Sequence, residues 1–416
     1  MSEFILLRHR DIPGLNQLKT YIANGGFETW KKVVTTLRPD DVVTEVRNSG
    51  LRGRGGAGFP TGFKWSFIPK TVWPHYVVAN ADESEPGTFK DRELMEFNPY
   101  QFLEGLMIAS FAVEARDAYI YFRGEFSQLE QKIDERIDEL TSKGFLGDNL
   151  FGTSYSLRIH THLGAGAYIC GEETALLESI EGRMGQPRLR PPFPALEGLF
   201  GKPTVINNVE TLANLPFILE KGAVAFHKIG TEKSPGTKIF SLSGRVNKPG
   251  NYELPLGATF RELIYTHGEG ILNGAKIKAI MPAGASSSLI PATEEMLDLA
   301  MDYEATTAVG SPLGSASVMV LDETVDISRV VNSTVHFFKH ESCGKCTPCR
   351  EGTYWMNHLT SRIVAGRASK EDIDLLQTVA SQMQNKCFCA LGEFSIMAVL
   401  SGIQHFRADF EAHLEK

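Results

Sequence analysis

The sequence predicts an α/β unit with a largely parallel sheet, followed by a small α+β unit and an all-α C-terminal region. Three observations predict this order. Short apolar runs alternate with helical patterns over the first half of the chain, which is typical of a parallel sheet. The composition then changes at Gly230–Gly236, and after Asp326 the apolar periodicity is helical to the end. The length of 416 residues agrees with about three domains.

In the first unit, weak helical patterns occupy the chain as far as Gly50, and strand-length apolar runs that alternate with helical patterns follow. The first long helix of this alternation is predicted to be amphipathic, and the second to carry a narrow apolar stripe. The predicted strands are His75–Ala79, Asp117–Phe122 and Ser156–Thr161, and the predicted helices are Pro99–Val113, Ser127–Ser142 and one from Thr174 to Gly182.

The second unit is predicted to begin with a hairpin of Thr237–Gly244 and Asn251–Leu254. A helix near Thr259–His267 and strands near Ile277–Met281 and Ser317–Leu321 complete it, without clustered chemistry. We therefore interpret it as a packing or docking module. In the helical region, Ser369 and Asp372 form a capping-box pattern that starts a helix. Its apolar stripe is Ile373, Leu376, Val379 and Met383.

Composition and charge exclude some classes of protein. The formal net charge is −8 and the sequence pI about 5.8, which argues against nucleic acid as a partner. The apolar stretches Leu106–Val113 and Phe394–Ile403 are far shorter than the ~20 residues of a membrane span, so we expect another chain to provide any membrane attachment. The N-terminal apolar run is too short for a signal peptide, and we expect a cytosolic protein.

Three of the six cysteines, Cys343, Cys346 and Cys349, lie at three-residue spacing. Such a run commonly ligates three corners of an iron–sulfur cluster, and Cys387 or Cys389 would supply a fourth thiolate. Thr347 and the proline after it predict an N-cap and a helix that starts at the third cysteine, with its positive end toward the cluster. The alternatives are a structural zinc site, which prefers paired C-x2-C elements, and a disulfide framework.

A glycine-rich loop, Leu51–Gly62, contains the pattern G-x-G-x-x-G at Gly53, Gly55 and Gly58. No clear strand precedes it and Pro60 follows it, so the context differs from a dinucleotide fold. Its unshielded amides and the nearby Arg52, Arg54 and Lys64 suit a phosphate or a flat ring. The alternative is a flexible surface loop, but the aromatic residues in and after it favour binding.

Four more segments carry polar groups that suit a ligand. Asn80–Pro86 is an acidic turn after a predicted strand, and Gly164–Thr174 joins a strand to a helix N-terminus. Arg183–Pro203 is a stiff, proline-rich arm that presents Phe193. Asn207 and Asn208 suit either a polar cofactor ring or the N-cap of a helix.

With these motifs in order from about residue 45 to 402, the sequence resembles the NADH-binding flavoprotein subunit of respiratory NADH:quinone oxidoreductase, complex I. The resemblance implies FMN, one 4Fe-4S cluster and NAD(H) as cofactors. It also implies a Rossmann-like α/β domain with N-terminal helices at residues 1–235, a ubiquitin-like β-grasp domain at 236–325 and a helical bundle that holds the cluster at 326–416.

The resemblance implies roles for individual residues. The flavin positions are Gly53, Arg54, Gly55, Gly56, Lys64, Asn80, Asp82, Glu83, Tyr168, Gly171, Glu172, Asn207, Asn208 and Thr211. The NADH positions are the adenine-contacting Phe59, Phe67 and Phe193, the hydrogen-bonding Glu85 and Glu173, and Arg190, which stands where some relatives have lysine. The cluster ligands are Cys343, Cys346, Cys349 and Cys389, the last of which begins a C-A-L-G motif.

By the same resemblance, Cys387 is a spare thiol, and we interpret Cys170 as a packed, unreactive one. NADH passes a hydride to the flavin, so no catalytic side chain is expected, and single electrons then reach the cluster. The implied partners are a thioredoxin-like 2Fe-2S subunit and a large multi-cluster iron–sulfur subunit. Quinone is reached through other subunits, and the implied location is the cytoplasmic side of the inner membrane.

Two alternatives remain open at this point. One is the diaphorase subunit of an NAD-linked hydrogenase or formate dehydrogenase, many of which add iron–sulfur domains at both ends. Only about fifty residues precede the glycine loop here, and the first cysteine is Cys170, which favours the respiratory subunit. The other alternative is a zinc-stabilised scaffold without a redox cofactor, which would be colourless when purified.

Overall fold

The computed structural model describes residues 4–414. Contacts divide them into two units. The first unit contains the residues up to Ser84 together with Phe89–Ile239 and Glu253–Gly257. The second contains Glu85–Thr88, Phe240–Tyr252 and the chain from Ala258 onward.

The first unit alternates strands and helices as predicted. Its elements are α1 Leu18–Ala23, α2 Glu28–Thr36, α3 Pro39–Ser49, α4 Thr61–Trp65, β1 Tyr76–Ala81, α5 Lys90–Phe97, α6 Pro99–Ala112, β2 Asp117–Phe122, α7 Ser127–Ser142, β3 Arg158–Leu163, α8 Glu173–Ile180, β4 Thr204–Asn208, α9 Val209–Ala213, α10 Leu215–Lys221 and α11 Ala223–His227. The N-terminal helices end at Gly50, which caps α3 at a φ of +69° that favours glycine.

Four parallel strands form the sheet of this unit, in the order β3-β2-β1-β4. β2 and β3 are added in turn on one side of β1, and β4 is added on the other side. The strand order therefore reverses between β1 and β4, and open α/β sheets bind ligands at the carboxyl ends of the strands at such a point. The register places Asn80 of β1 opposite Asn208 of β4, at that edge.

The predicted strands agree with the structure to different degrees. β2 and α7 begin and end at the predicted residues, and β1 extends to Ala81. The third strand lies two residues later than predicted, at Arg158–Leu163. Strand β4 was not predicted, because only two apolar residues of the strand, Val205 and Ile206, precede its asparagines.

Helix α6 differs from its predicted amphipathic pattern, because all 14 of its residues are buried. It lies between the sheet and the N-terminal helices, so it has no solvent face. Glu104 shows how the structure accommodates a carboxylate there: it accepts hydrogen bonds from Tyr21 Oη at 2.6 Å and from the backbone amides of Phe27 and Trp30, both at 3.0 Å. Burial raises the pKa of Glu104 above its ordinary value.

The second unit combines a mixed sheet with a helical region. Its elements are β5 Thr237–Gly244, which belongs to this unit from Phe240, β6 Gly250–Pro255, which belongs to it as far as Tyr252, β7 Ile277–Met281, β8 Ile290–Pro291, α12 Glu294–Leu297, α13 Tyr303–Ala308, β9 Ser317–Asp322, α14 Ile327–Glu341, α15 Thr347–Val364, α16 Lys370–Met383 and α17 Ala390–Glu411. The strand order is β6-β5-β9-β7-β8, with β5 parallel to β9 and β7 antiparallel to both β8 and β9. Glu262–His267 forms a π-helical turn where a helix was predicted.

Helices α14 to α17 pack around one apolar core, as the helical periodicity predicts. Ser369 and Asp372 form the predicted capping box of α16, and Ile373, Leu376 and Met383 are buried on its inner face. The fold class is thus confirmed: a parallel α/β sheet, a second sheet and a helical C-terminal region. Within residues 4–414, no helix is both long and apolar enough to cross a membrane.

Candidate functional site: a loop-lined sheet edge and a cysteine cluster

Polar side chains meet where β1 and β4 end. Asn80 donates from Nδ2 to the carbonyl of Gly171 at 2.9 Å, and its Oδ1 accepts from the amide of Asp82 at 3.0 Å. These bonds tie the acidic turn after β1 to the turn after β3. A side chain at Gly171 would come within 3.1 Å of the Asp82 carboxylate, so this close approach requires a small residue.

The glycine-rich loop closes beside the same edge. Its two ends pair, with the amide of Gly53 donating to the carbonyl of Phe59 at 2.9 Å. A Cβ at Gly55 would lie 2.8 Å from the Cβ of Asn208, whereas a Cβ at Gly56 would meet nothing within 4 Å. The amide of Arg54 donates to Thr211 Oγ1 at 2.8 Å. The loop backbone thus packs tightly on β4 and α9 and presents an open face at Gly56.

A short helix, α4, follows Pro60 directly. Lys64, on α4, donates from Nζ to Glu173 Oε2 at 2.8 Å and to the carbonyl of Ile206 at 3.0 Å. The next residue, Trp65, is buried and donates from Nε1 to Asn207 Oδ1 at 2.9 Å. One short helix thereby connects the glycine loop to β4 and α8.

Two adjacent carboxylates mark the start of α8. Glu172 is the N-cap residue and accepts from the amides of Thr174 and Ala175, both at 2.9 Å. Arg190 donates to Glu172 Oε1 at 2.9 Å and to Glu173 Oε1 at 3.0 Å. Burial opposes the charge on Glu173, but Lys64 and Arg190 outweigh it and hold its pKa below the ordinary value.

Glu83 is buried at the N-terminus of α5, where it accepts from the amides of Asp91 at 2.7 Å and Arg92 at 2.9 Å. Burial, and next the nearby charge of Asp91, raise the pKa of Glu83 well above its ordinary value. Of the two adjacent asparagines, Asn208 is the N-cap of α9, as one of the two interpretations predicted. Asn208 also donates from Nδ2 to Asp91 Oδ2 at 2.7 Å.

A set of buried charged side chains lies under the glycine loop, and the sequence did not predict it. Lys90 Nζ lies 2.8 Å from both Asp91 Oδ1 and Glu210 Oε2. Lys238 Nζ donates to the carbonyl of Arg54 at 2.7 Å and lies 3.7 Å from Glu210 Oε2. With the buried Arg54, the set holds three cations and two carboxylates, and burial lowers the pKa of Lys238 to about 7. The one feature of the sequence that could have indicated these buried charges is that Glu210 immediately precedes Thr211, a predicted flavin position.

The predicted NADH residues lie at different places. Phe59, Phe67 and Phe193 are each about half exposed, and the ring of Phe63 lies 6.1 Å from that of Phe59 and 4.7 Å from that of Phe67. Tyr168 is half-buried in the turn before α8. In the second unit, Glu85 accepts from the amide of Ser286 at 2.9 Å and from its hydroxyl at 2.6 Å. The nucleotide role of Glu85 stays a prediction.

The cysteine run begins a helix, but two residues earlier than predicted. Helix α15 starts at Thr347, and Cys346, rather than Thr347, is its N-cap residue. Cys389 is likewise the N-cap residue of α17. The amide of Phe388 donates to Cys346 Sγ at 3.4 Å, which brings the two segments together. Two helix N-termini therefore face the thiols, and both favour negative charge.

Cysteine thiols beside two helix N-termini are the kind of donors that ligate iron–sulfur centres. Burial, and then the nearby thiols of Cys346, Cys389 and Cys343, raise the pKa of Cys349 to about 11. Thiolates at these positions would therefore need a cationic metal centre, in addition to the helix N-termini, to stay charged. Within the described residues, no group of three or more His, Cys, Asp or Glu side chains is arranged to hold a single metal ion.

The two remaining cysteines are packed thiols. Cys387 lies against the apolar core of the helical region, and a Cβ at Gly392 would come within 2.3 Å of its Sγ. Cys170 is buried in the turn before α8, and a Cβ at Gly185 would lie 2.4 Å from its Sγ. The packing at Cys170 agrees with an unreactive thiol.

Comparisons with known proteins show which families this chain is similar to. Family models match the Nuo51 FMN-binding domain at residues 46–217, the SLBB domain at 239–284 and the NADH-ubiquinone oxidoreductase-F iron-sulfur binding region at 329–413. An NADH-quinone oxidoreductase F subunit of Rhizobium meliloti is 48% identical over 417 residues, which is 100% of this chain and 99% of that protein. The corresponding F subunit of Mycobacterium bovis is 49% identical, over 99% of this chain and 93% of its own.

Among solved structures, the air-oxidized NAD+-reducing [NiFe]-hydrogenase contains a similar chain, with a TM-score of 0.86 and 35% identity. The match covers 100% of this chain and 67% of that one. The similarity to the two bacterial F subunits extends over essentially the whole chain, through both units. This protein therefore belongs to the family of NADH-quinone oxidoreductase F subunits.

Proposed function

We propose that this chain is the electron-input subunit of an NADH:quinone oxidoreductase. The observation that carries the proposal is the pairing, in one chain, of a glycine-lined edge of a parallel sheet with thiols at two helix N-termini. Bound FMN would supply the hydride-accepting chemistry for NADH, and a bound 4Fe-4S cluster would supply the one-electron chemistry. The protein's own part is to bind and orient NADH and the cofactors and to exclude water from the site.

We assign FMN to the carboxyl ends of β1 and β4. The open loop amides around Gly56 suit the phosphate, and the fixed asparagine and acidic side chains suit the polar edge of the ring. Burial beneath the loop keeps this surface rigid, because the backbone of Arg54 is bonded on both sides. The proposed FMN residues are Gly53, Arg54, Gly55, Gly56, Lys64, Asn80, Asp82, Glu83, Tyr168, Gly171, Glu172, Asn207, Asn208 and Thr211.

We assign the adenine end of NADH to the half-exposed rings of Phe59, Phe67 and Phe193, which offer flat apolar faces. Glu173 and Arg190 would contact the polar part of the nucleotide. This arrangement holds the substrate in place and requires no side chain that donates or accepts the hydride.

We assign the cluster to Cys343, Cys346, Cys349 and Cys389, with Cys387 as a spare thiol. We also propose three domains, with boundaries at residues 1–235, 236–325 and 326–416. The proposed partners are a thioredoxin-like 2Fe-2S subunit and a large multi-cluster iron–sulfur subunit. Electrons would reach quinone through further subunits, at the cytoplasmic side of the inner membrane.

The structural likeness to an NAD+-reducing [NiFe]-hydrogenase favours a second candidate, the diaphorase subunit of such an enzyme. Both candidates use the same NADH, FMN and cluster chemistry, and they differ in the final acceptor. Native purification with partner chains separates them, since one complex reduces quinone and the other contains a nickel–iron subunit.

The shared proposal is tested on the purified protein by its absorption spectrum, its FMN, iron, acid-labile sulfide and zinc contents, and its NADH:ferricyanide activity. We expect a yellow-brown protein with flavin, iron and sulfide that oxidises NADH. A colourless protein that contains zinc and lacks flavin would overturn the proposal and support a scaffold.

Lys64→Ala is expected to lower FMN retention, or to slow flavin reduction by NADH, by about tenfold. A cation beside the glycine loop stabilises a phosphate or an anionic reduced flavin, and a charge-assisted hydrogen bond is worth roughly 1.5–3 kcal/mol. FMN per chain after gel filtration and stopped-flow bleaching of the flavin measure the two effects.

Lys70→Ala is the matched control, because Lys70 is an exposed lysine that pairs with Asp40 on α3. We expect it to behave as wild type. Unchanged FMN content together with an unchanged reduction rate in Lys64→Ala would refute the role of Lys64.

A further inference from the structure

The arm between α8 and β4 is a long connection with almost no regular secondary structure to order it. It joins Ile180 to Thr204 with no regular element except a short turn at Leu199–Gly201. Apolar burial does not hold it throughout, because Met184 and Leu189 are more than 70% exposed. A connection of this length is usually functional or disordered. Ala195 and Leu199 are buried near its far end, and polar contacts add to its order elsewhere.

Four charged residues fasten both ends of the arm to the end of α8. We name Glu178, Glu181, Arg183 and Arg188 the arm clamp. Arg183 pairs with both glutamates at the start of the arm. Arg188 also pairs with both, through Nε to Glu178 and through Nη2 to Glu181 Oε1 at 2.9 Å.

Arg188 is the member of the clamp that reaches the far end of the arm. Its Nη1 donates to the carbonyl of Gly198 at 2.9 Å. Glu181 Oε1, which pairs with Arg188, also accepts from the amide of Phe200 at 2.7 Å. The segment between Arg188 and Gly198 is thus closed into a loop by a single side chain.

The same residue is linked to the start of α8. The backbone amide of Arg188 donates to Thr174 Oγ1 at 2.8 Å, and that hydroxyl donates to Glu172 Oε2 at 2.5 Å. Glu172 in turn accepts from Arg190. Arg183, then Arg188, hold the pKa of Glu178 down to about 2, so Glu178 stays ionised at neutral pH.

We propose that Arg188 is a positioning residue for the adenine half of NADH: it closes the arm so that Arg190 and Phe193 stand where that half of the dinucleotide binds. This proposal rests on the proposed function, and it adds a residue that touches neither cofactor. The planar fork of arginine makes three directed contacts here, which lysine cannot reproduce.

The test compares Arg188→Gln with wild type, with ferricyanide as the electron acceptor. We expect the KM for NADH and the inhibition constant of AMP, which resembles only the adenine half, to rise together by roughly tenfold. The kcat for NADH should stay within about twofold of wild type. The kcat/KM for reduced nicotinamide mononucleotide, which lacks adenine, should not change.

Arg158→Gln is the matched control, because Arg158 forms an exposed pair with Asp148 on another loop of the same unit. If the arginine fork is required, the KM for NADH and the inhibition constant of AMP in Arg188→Lys should be closer to those of Arg188→Gln than to those of wild type. If Arg188→Gln retains too little FMN to assay, Glu181→Gln, which removes the charge that pairs with both Arg183 and Arg188, takes its place.

Equal losses with NADH and with the mononucleotide would assign Arg188 a general structural role and overturn the proposal. An unchanged AMP inhibition constant would overturn it as well. A wild-type protein that oxidises neither substrate would instead refute the proposed function, so the two failures are distinguishable.

Discussion

Replacing Cys349 with serine is expected to remove nearly all the iron from the protein, whereas replacing Cys387 with serine is expected to leave it. Cys349 is buried in the first turn of α15, close to Cys346 and Cys389. Loss of one of four thiolate ligands opens a corner of a 4Fe-4S cluster and exposes it to solvent and oxygen.

Cys387 is only two residues from Cys389, so spacing does not separate them. In the structure the two cysteines differ in position. Cys389 is at the positive end of α17, whereas Cys387 packs on the apolar core and its Sγ faces the carbonyl of Met383 at 3.7 Å. Burial, and then the neighbouring cysteines, raise the pKa of Cys387 to about 12, a shift in the same direction as that of Cys349.

The measurement is iron and acid-labile sulfide per chain, together with the electron paramagnetic resonance spectrum after reduction by NADH. Cys170→Ser serves as a control, since it removes a buried thiol from the other unit. Loss of iron from Cys387→Ser would refute the assignment of Cys389 as the fourth ligand.

Glu173→Gln is expected to shift the preference between NADH and NADPH toward NADPH by at least about tenfold. An acidic side chain near the adenosine ribose accepts hydrogen bonds from its hydroxyls and repels a 2′-phosphate by roughly 1–3 kcal/mol in a partly desolvated site. The structure strengthens this expectation. Glu173 pairs with both Lys64 at 2.8 Å and Arg190 at 3.0 Å. The variant removes the carboxylate partner of Lys64 and one of the two carboxylate partners of Arg190, the other being Glu172, so less negative charge opposes the phosphate.

The competing interpretation is that Glu173 only provides favourable charge at the N-terminus of α8, worth about 0.3–1 kcal/mol. Glu28→Gln is a matched control, because Glu28 is the first residue of α2 as Glu173 is of α8. The ratio of kcat/KM for the two nucleotides and the Tm are measured for both variants. A small decrease in Tm with an unchanged ratio in both would return Glu173 to the helix-charge role.

Local patterns were sufficient for much of the fold. β2, α7 and the capping box of α16 lie at the predicted residues, because alternation, helical periodicity and caps are decided by neighbours in sequence. The cysteine run and the glycine loop were also recognisable by themselves, since their chemistry is contained within a dozen residues. The resemblance to a family added the fourth cluster ligand and the individual flavin and NADH positions, which remain predictions.

Only the tertiary structure revealed how the charges are used. Lys90 and Lys238 have the same local pattern as solvated lysines, yet both are fully buried around Glu210. Apart from Asp91, which follows Lys90 on α5, their partners lie on other elements, and the burial of a charge depends on what covers it. For the same reason the sequence alone could not show that Glu173 lies between two cations, or that Arg188 closes the arm. Distant segments contribute those contacts, and only folding brings them together.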